Sequence, residues 1–207
     1  MESSAKREAV IRAALELVGE HGFHGSPMAQ IAERAGVAAG TIYRFFDGKD
    51  TLIKEIKASL DGQILAAVSE GYPAGEPVRE RFLHVQRRVI GYFVASPLHF
   101  RFLEQFHFSP YGVDCRREKL FGKKRSNLIE DLIEEARSRR ILKDLPLPIL
   151  YALAFGPVIE VCRDHILEFV TLDERLIEQT VEACWDAIRR HPDTPGNPAS
   201  TVRRQHP

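Results

Sequence analysis

The chain has 207 residues, with 29 basic and 29 acidic side chains and no formal net charge. With 44% hydrophobic and 28% charged residues it has the composition of one or two globular domains, which excludes collagen-like, low-complexity and wholly disordered chains. No stretch approaches the ~18 consecutive apolar residues of a membrane span, and the first residues carry no apolar signal region.

Cys115, Cys162 and Cys184 are odd in number and far apart, so a reducing cytoplasm is expected, without a disulfide framework. Charge also balances within residues 1–60, so any nucleic-acid contact must rest on a local patch and not on a basic arm.

Helical periodicity runs along the chain. Val10, Ile11, Ala14, Leu15 and Val18 fall on one face of a first helix, closed by Gly22. Ser26-Pro27 reads as the start of a short second helix, with Ser26 as its cap and Pro27 in its first turn. Ile31, Ala32 and Ala35 form its buried stripe, and Gly36 ends it. A third short helix is expected near 38–46. Asp47-Gly48-Lys49-Asp50 then opens a fourth, with Leu52, Ile53, Ile56, Leu60 and Ile64 along one side.

After the loop Tyr72–Pro77, a fifth helix carries Val78, Phe82, Val85, Val89 and Phe93. Pro97–Phe108 is a short aromatic-rich helix, with Ser109-Pro110-Tyr111-Gly112 as its stop. One long helix is expected over 114–140, then two more over 148–169 and 173–190. Residues 191–207 are proline-rich and poor in large apolar side chains, a composition expected to be a disordered tail. The reading is all-α, with about nine helices and no sustained β alternation.

The segment Phe23–Asp50 carries the function. Two short helices meeting at Gly36 make a helix-turn-helix, whose second helix suits the DNA major groove. Ala39, Gly40 and Thr41 permit close backbone approach, and Tyr43 and Arg44 add donors one turn later. The run Ser26-Pro-Met-x-x-Ile-Ala-x-x-Ala-Gly-Val-x-x-Gly-Thr-Ile-Tyr-x-x-Phe46, followed by Lys49, resembles the DNA-binding domain of the tetracycline-repressor (TetR) family.

The resemblance implies a homodimeric, one-component transcription regulator, usually a repressor. Its helix-turn-helix domain would occupy residues 1–50, and an effector-binding and dimerisation domain residues 51–190. The implied partners are a roughly palindromic double-stranded operator and a small-molecule effector, with no membrane and no cofactor. It also implies that Ser26, Gln30, Ala39, Gly40, Thr41, Tyr43 and Lys49 touch DNA. Thr41 and Tyr43 would bond phosphates, and Ala39 and Gly40 would face base edges. The fork of Arg44 matches guanine O6 and N7. Two positions depart from the pattern. Ala38 stands where a serine often caps the recognition helix, and Phe45 where a histidine or tyrosine often reaches the backbone.

For the effector, Phe100, Phe106, Phe108 and Tyr111 crowd one short segment close after Tyr92, and they read as the wall of an apolar pocket. Leu103, Leu128 and Phe155 are expected to line it further, with His99 and His107 as polar handles. For the dimer, Leu150, Leu153, Ala154, Val158 and Val161 offer one helix face. Leu176, Thr180, Ala183, Cys184 and Ala187 offer the other, in a four-helix seam.

No phosphate loop, nucleophile elbow or metal-ligand cluster occurs, so catalysis is not expected. Cys162-x-x-His165 lacks further ligands for zinc. The alternative is a helical enzyme, or a ligand-binding or interaction bundle, that does not bind DNA. The basic run from Arg116 to Arg125 is a solvated face or a contact for an acidic surface or DNA.

Overall fold

The computed structural model describes residues 2–121 and 127–191, all-helical apart from one isolated bridge between Leu142 and Arg189. Among the described residues ten helices follow in order: α1 (Glu2–His21), α2 (Met28–Arg34), α3 (Ala39–Ile42), α4 (Lys49–Ser69) and α5 (Val78–Ala95). Then come α6 (Pro97–His107), α7 (Pro110–Phe121), α8 (Leu128–Ser138), α9 (Leu147–Ile166) and α10 (Glu174–Ile188). The expected tail, from 192 onward, and Lys123, Lys124 and Arg125 of the basic run lie outside the described residues.

The stripes read from periodicity become two hydrophobic cores. In the first, Val10, Ala14 and Val18 of α1 meet Ile31 and Ala32 of α2, Ile42, Phe46 and the first half of α4 through Leu60. In the second, Phe82, Val89 and Phe93 of α5 meet α8, Leu150, Ala154, Val158 and Cys162 of α9, and Val181 and Trp185 of α10. Two helices belong to both. α4 enters the second core with Val68, while α6 gives Phe100 to the second core and Phe102 and Phe106 to the first.

One expected helix is two. Asn127 stops the run over 114–140, because its side chain accepts hydrogen bonds from the backbone N–H groups of Ile129 (3.1 Å) and Glu130 (3.0 Å) and so starts α8. Likewise Ser109-Pro110 starts α7 instead of only stopping α6. The Ser109 hydroxyl donates to the Phe106 carbonyl at 2.6 Å and accepts from the Gly112 N–H at 3.3 Å. A Cβ on Gly112 would stand 2.1 Å from the Phe106 carbonyl oxygen, so only glycine lets the chain fold back this tightly.

α5 and α8 are clamped by Arg81, which donates to Glu135 at 2.7 Å, and Arg139 donates to the same carboxylate at 2.8 Å. These bonds, Arg81 first, hold the Glu135 carboxyl at about 2, below its usual 4.5. A depressed carboxylate stabilises the fold fully above its unfolded value, and that contribution drains away as pH falls toward the folded one. Glu135→Gln is therefore expected to lower the urea midpoint at pH 7, with the gap to wild type closing between pH 4.5 and 2. A gap that stays constant with pH would assign the clamp no ionic role.

Candidate nucleic-acid interface

Gly36 turns α2 into α3 with φ +66°, a left-handed conformation that glycine adopts without strain. The turn closes as a Schellman pair: Val37 N–H donates to the Ala32 carbonyl at 3.0 Å and Gly36 N–H to the Glu33 carbonyl at 3.0 Å. The second helix is shorter than expected. It runs from Ala39 to Ile42 and unwinds into turns through Phe45, since Ala38 supplies no side-chain cap and Gly40, Thr41 and Ile42 are weak helix formers.

What fixes this short element is its inner face. Ile42 and Phe46 are buried in the first core, and the Arg7 guanidinium lies 5.1 Å from the centre of the Phe46 ring while pairing with Glu55 of α4. Arg34 ties α2 to Glu20 (3.1 Å) and Glu16 (3.5 Å) of α1. The hydrogen bond from Arg34 lowers the Glu20 carboxyl pKa.

The outer face is Ala39, Gly40, Tyr43 and Arg44, all exposed, with Gln30 exposed on α2 and Thr41 half-buried. Tyr43 is 57% exposed. Nothing lies within 4 Å of where a Cβ on Gly40 would stand, so internal packing does not require this glycine. Arg44 engages no acidic partner among the described residues, whereas Arg7, Arg34, Arg81, Arg87 and Arg163 each hold a carboxylate.

One expected contact, Ser26, is corrected, and Lys49 has a structural partner. Ser26 is 0% exposed, and its hydroxyl donates to the Gly22 carbonyl at 2.7 Å. It braces the end of α1. Pro27 holds the cap position of α2, and no side chain caps that helix. Lys49 is half-buried and its ammonium donates to the Phe23 carbonyl; desolvation pulls its pKa below the usual lysine range. It fastens the start of α4 to the α1–α2 loop.

The expected pocket wall is not one surface. Phe100 packs edge-on against Phe93 in the second core, with ring centres 5.2 Å apart. Phe106 is 6% exposed in the first core, where Phe23 meets it edge-on at 6.5 Å and Tyr111 stacks on it at 6.3 Å. Leu103 touches both cores, Phe108 is 80% exposed, and His107 is exposed beside Arg116.

Tyr92 and His99 pair with each other at 2.8 Å, outside that aromatic joint. Leu128 and Phe155 are half-buried at the edge of the second core. The joint itself is not legible in the sequence. The Tyr111 hydroxyl donates to Asp50, at the first turn of α4, across 61 positions that no local pattern links.

On α9 and α10, Leu150, Ala154, Val158 and Cys184 are buried inside the protomer, a correction to their expected place in a dimer seam. Leu153, Val161, Leu176, Thr180 and Ala187 are half-buried and Ala183 is exposed. Ile149, 46% exposed, joins Ala152 and Leu153 on the outer side of α9. A helix apolar all round does not declare from sequence which stripe faces inward.

Comparison with known proteins agrees with this geometry. Residues 10–56 match the model of bacterial regulatory proteins of the tetR family, and residues 77–189 match the tetracycline-repressor-like C-terminal domain. A helix-turn-helix-type transcriptional regulator of Haemophilus influenzae is 24% identical, covering 88% of this chain and 95% of its own. The fatty acid metabolism regulator protein of Bacillus subtilis is 24% identical over 83% of this chain and 92% of its own. A TetR-family regulator of Marinobacter aquaeolei superposes with a TM-score of 0.78 at 21% identity, over 92% of this chain and 98% of that one. These relatives are regulators, and an enzyme reading is not favoured. With both halves of the chain matched and a helix-turn-helix presenting Gly40, Tyr43 and Arg44 outward, the protein belongs to the TetR family and is a DNA-binding transcriptional regulator.

Proposed function

We propose that the protein is a homodimeric repressor that holds a roughly palindromic operator and is released by a small, mostly apolar effector. In this reading residues 1–50 contact DNA and residues 51–190 dimerise and take the effector. The observation that carries it is the outer face of α3 and the turn after it, where an open Gly40 and an Arg44 with no acidic partner among the described residues stand over the buried Ile42 and Phe46. Gln30, Ala39, Gly40, Thr41, Tyr43 and Arg44 are the proposed DNA contacts. Selection of bound fragments from genomic DNA, followed by gel shifts, tests it. Enrichment of a two-fold symmetric site is the expected result, and no enrichment over random DNA would overturn it.

The proposed dimer seam is the outer side of α9 and α10: Ile149, Leu153 and Val161 with Leu176, Thr180, Ala183 and Ala187. Two-fold pairing of this face makes half-site spacing a matter of geometry. Ala183 is exposed in the protomer, so Ala183→Glu leaves the fold intact while placing a charge in the seam. The expected result is a dimer for wild type and a monomer for the variant in sedimentation at micromolar concentration. An unaltered dimer would move the seam elsewhere.

An apolar effector is supported by the second core, whose side chains are almost wholly aliphatic and aromatic. A relative named for fatty acid metabolism points to the same class. Release requires that the effector favour a state in which the recognition elements no longer fit successive major grooves. The joint of Phe23, Phe106 and Tyr111 with Asp50 is the proposed route, because it couples α6 and α7 directly to the loop before α2 and the start of α4.

A further inference from the structure

Gln86 is 0% exposed on α5, deep in the second core. Its amide nitrogen donates to the Ala154 carbonyl of α9 at 2.8 Å. That bond fixes which way the amide points, since two carbonyl oxygens would repel at this distance. The other end, Oε1, has no hydrogen-bond partner and less than 1 Å² of accessible surface. Helical spacing sets Phe82 and Ile90 on the same side of α5, and the apposed stripe of α9 is Leu150, Ala154 and Val158. A buried acceptor among apolar side chains is costly unless a donor reaches it.

The neighbouring stripe of α9 is the less buried side of this core. Tyr151, Phe155, Ile159 and Arg163 follow one another at four-residue spacing. α8 approaches at the first of them, where burial and then Glu130 push the Tyr151 hydroxyl up to about 12. α6 approaches at the last, where Arg163 donates to Glu104 at 2.6 Å. Phe155 and Ile159 lie between these two supports and are only half-buried. Just beside them Pro157 has no N–H for the Leu153 carbonyl, which loosens this turn of the helix.

Resting on the reading of an apolar effector in the second core, we infer that Gln86 Oε1 is the specificity handle of that site. It selects a neutral apolar ligand bearing one hydrogen-bond donor, such as an alcohol, taken up on the half-buried side of the core at Phe155 and Ile159. A carboxylate brings only acceptors and a charge to an acceptor in an apolar wall, so an acid of the same chain length is rejected.

The test uses the full chain and Trp185, its single tryptophan, whose ring centre lies 5.4 Å from that of Phe82, one turn from Gln86. Tryptophan fluorescence titrations compare 1-decanol with methyl nonyl ether, an isostere that accepts but cannot donate, and with decanoate. The alcohol is expected to bind about tenfold more tightly than the ether, the factor that one buried hydrogen bond supplies. Decanoate should bind more weakly than either. In Gln86→Met, alcohol and ether should bind equally.

Equal binding of alcohol and ether to wild type, or preference for decanoate, would overturn the assignment, as would binding of none of the three. So would discrimination that survives in Gln86→Met. If that variant does not fold, the wild-type comparison still decides. Gel shifts on a selected operator without any probe separate this outcome from failure of the regulator reading, since operator binding does not depend on Gln86.

Discussion

Gly40→Leu is expected to abolish specific operator binding while leaving the protein at least as stable as wild type. A side chain at this position meets nothing within 4 Å of its Cβ, so the fold has room for it. Glycine also costs a helix about 0.5–1 kcal/mol relative to alanine, and leucine is a comparably good helix former. On the DNA side the same leucine would hold the backbone of α3 away from the base edges. Contacts from Ala39, Thr41 and Tyr43 would then be lost together. Gel shifts and thermal unfolding on one preparation check both halves of the expectation.

Arg44→Ala gives the complementary result. If the guanidinium reads a guanine, the loss is about 1–3 kcal/mol per half-site and preference relaxes at one position. If it meets a phosphate, affinity falls evenly across sequences and the log-log salt slope flattens by about one per half-site. Unchanged binding in both Gly40→Leu and Arg44→Ala would remove α3 from the interface.

Phe106→Ala is expected to lower stability by about 3–5 kcal/mol, the range for emptying a packed aromatic site. Its ring is held by Phe23, Phe102 and Tyr111, and the Lys57 ammonium lies 5.3 Å from its centre. The cavity would open between α6 and the first core, so DNA binding would weaken along with stability. Urea unfolding followed by circular dichroism measures the first effect and gel shifts the second. Full stability with a lost effector response would instead return Phe106 to a pocket wall. Tyr111→Phe separates the two roles. It keeps the stacked ring and removes only the hydrogen bond to Asp50, so stability should change little while effector-driven release weakens.

Local patterns in the sequence reached far, up to a physical limit. The stripe Val78, Phe82, Val85, Val89 and Phe93 is buried as its spacing implies, and Gly36 turns the chain where the motif requires. Asp173, at the expected start of the last helix, caps it by accepting the Leu176 N–H at 2.7 Å. Pairings between distant segments were not legible. Phe23 with Phe106, and Tyr111 with Asp50, depend on how helices dock, and their residue types suited a pocket equally well.

Ser26 illustrates a subtler failure. A serine before a proline has two bonding choices, and here its hydroxyl turns back to Gly22 instead of forward to α2. For α9 the apolar residues encircle the helix, so periodicity identified its burial but not the stripe that faces inward.

The membership of α4 in both cores has a mechanical consequence. Its 21 residues make a rod about 30 Å long. One end is gripped through Leu52, Ile53 and Ile56 beside the recognition element, the other through Val68 against α5. A rod held this way converts angle into distance. A tilt of about 4° at the Val68 end sweeps the Leu52 end by about 2 Å over such a length. Hydrogen bonds to base edges do not survive a displacement of that size. An effector bound as proposed would therefore need no large rearrangement around it, because the length of one helix supplies the gain.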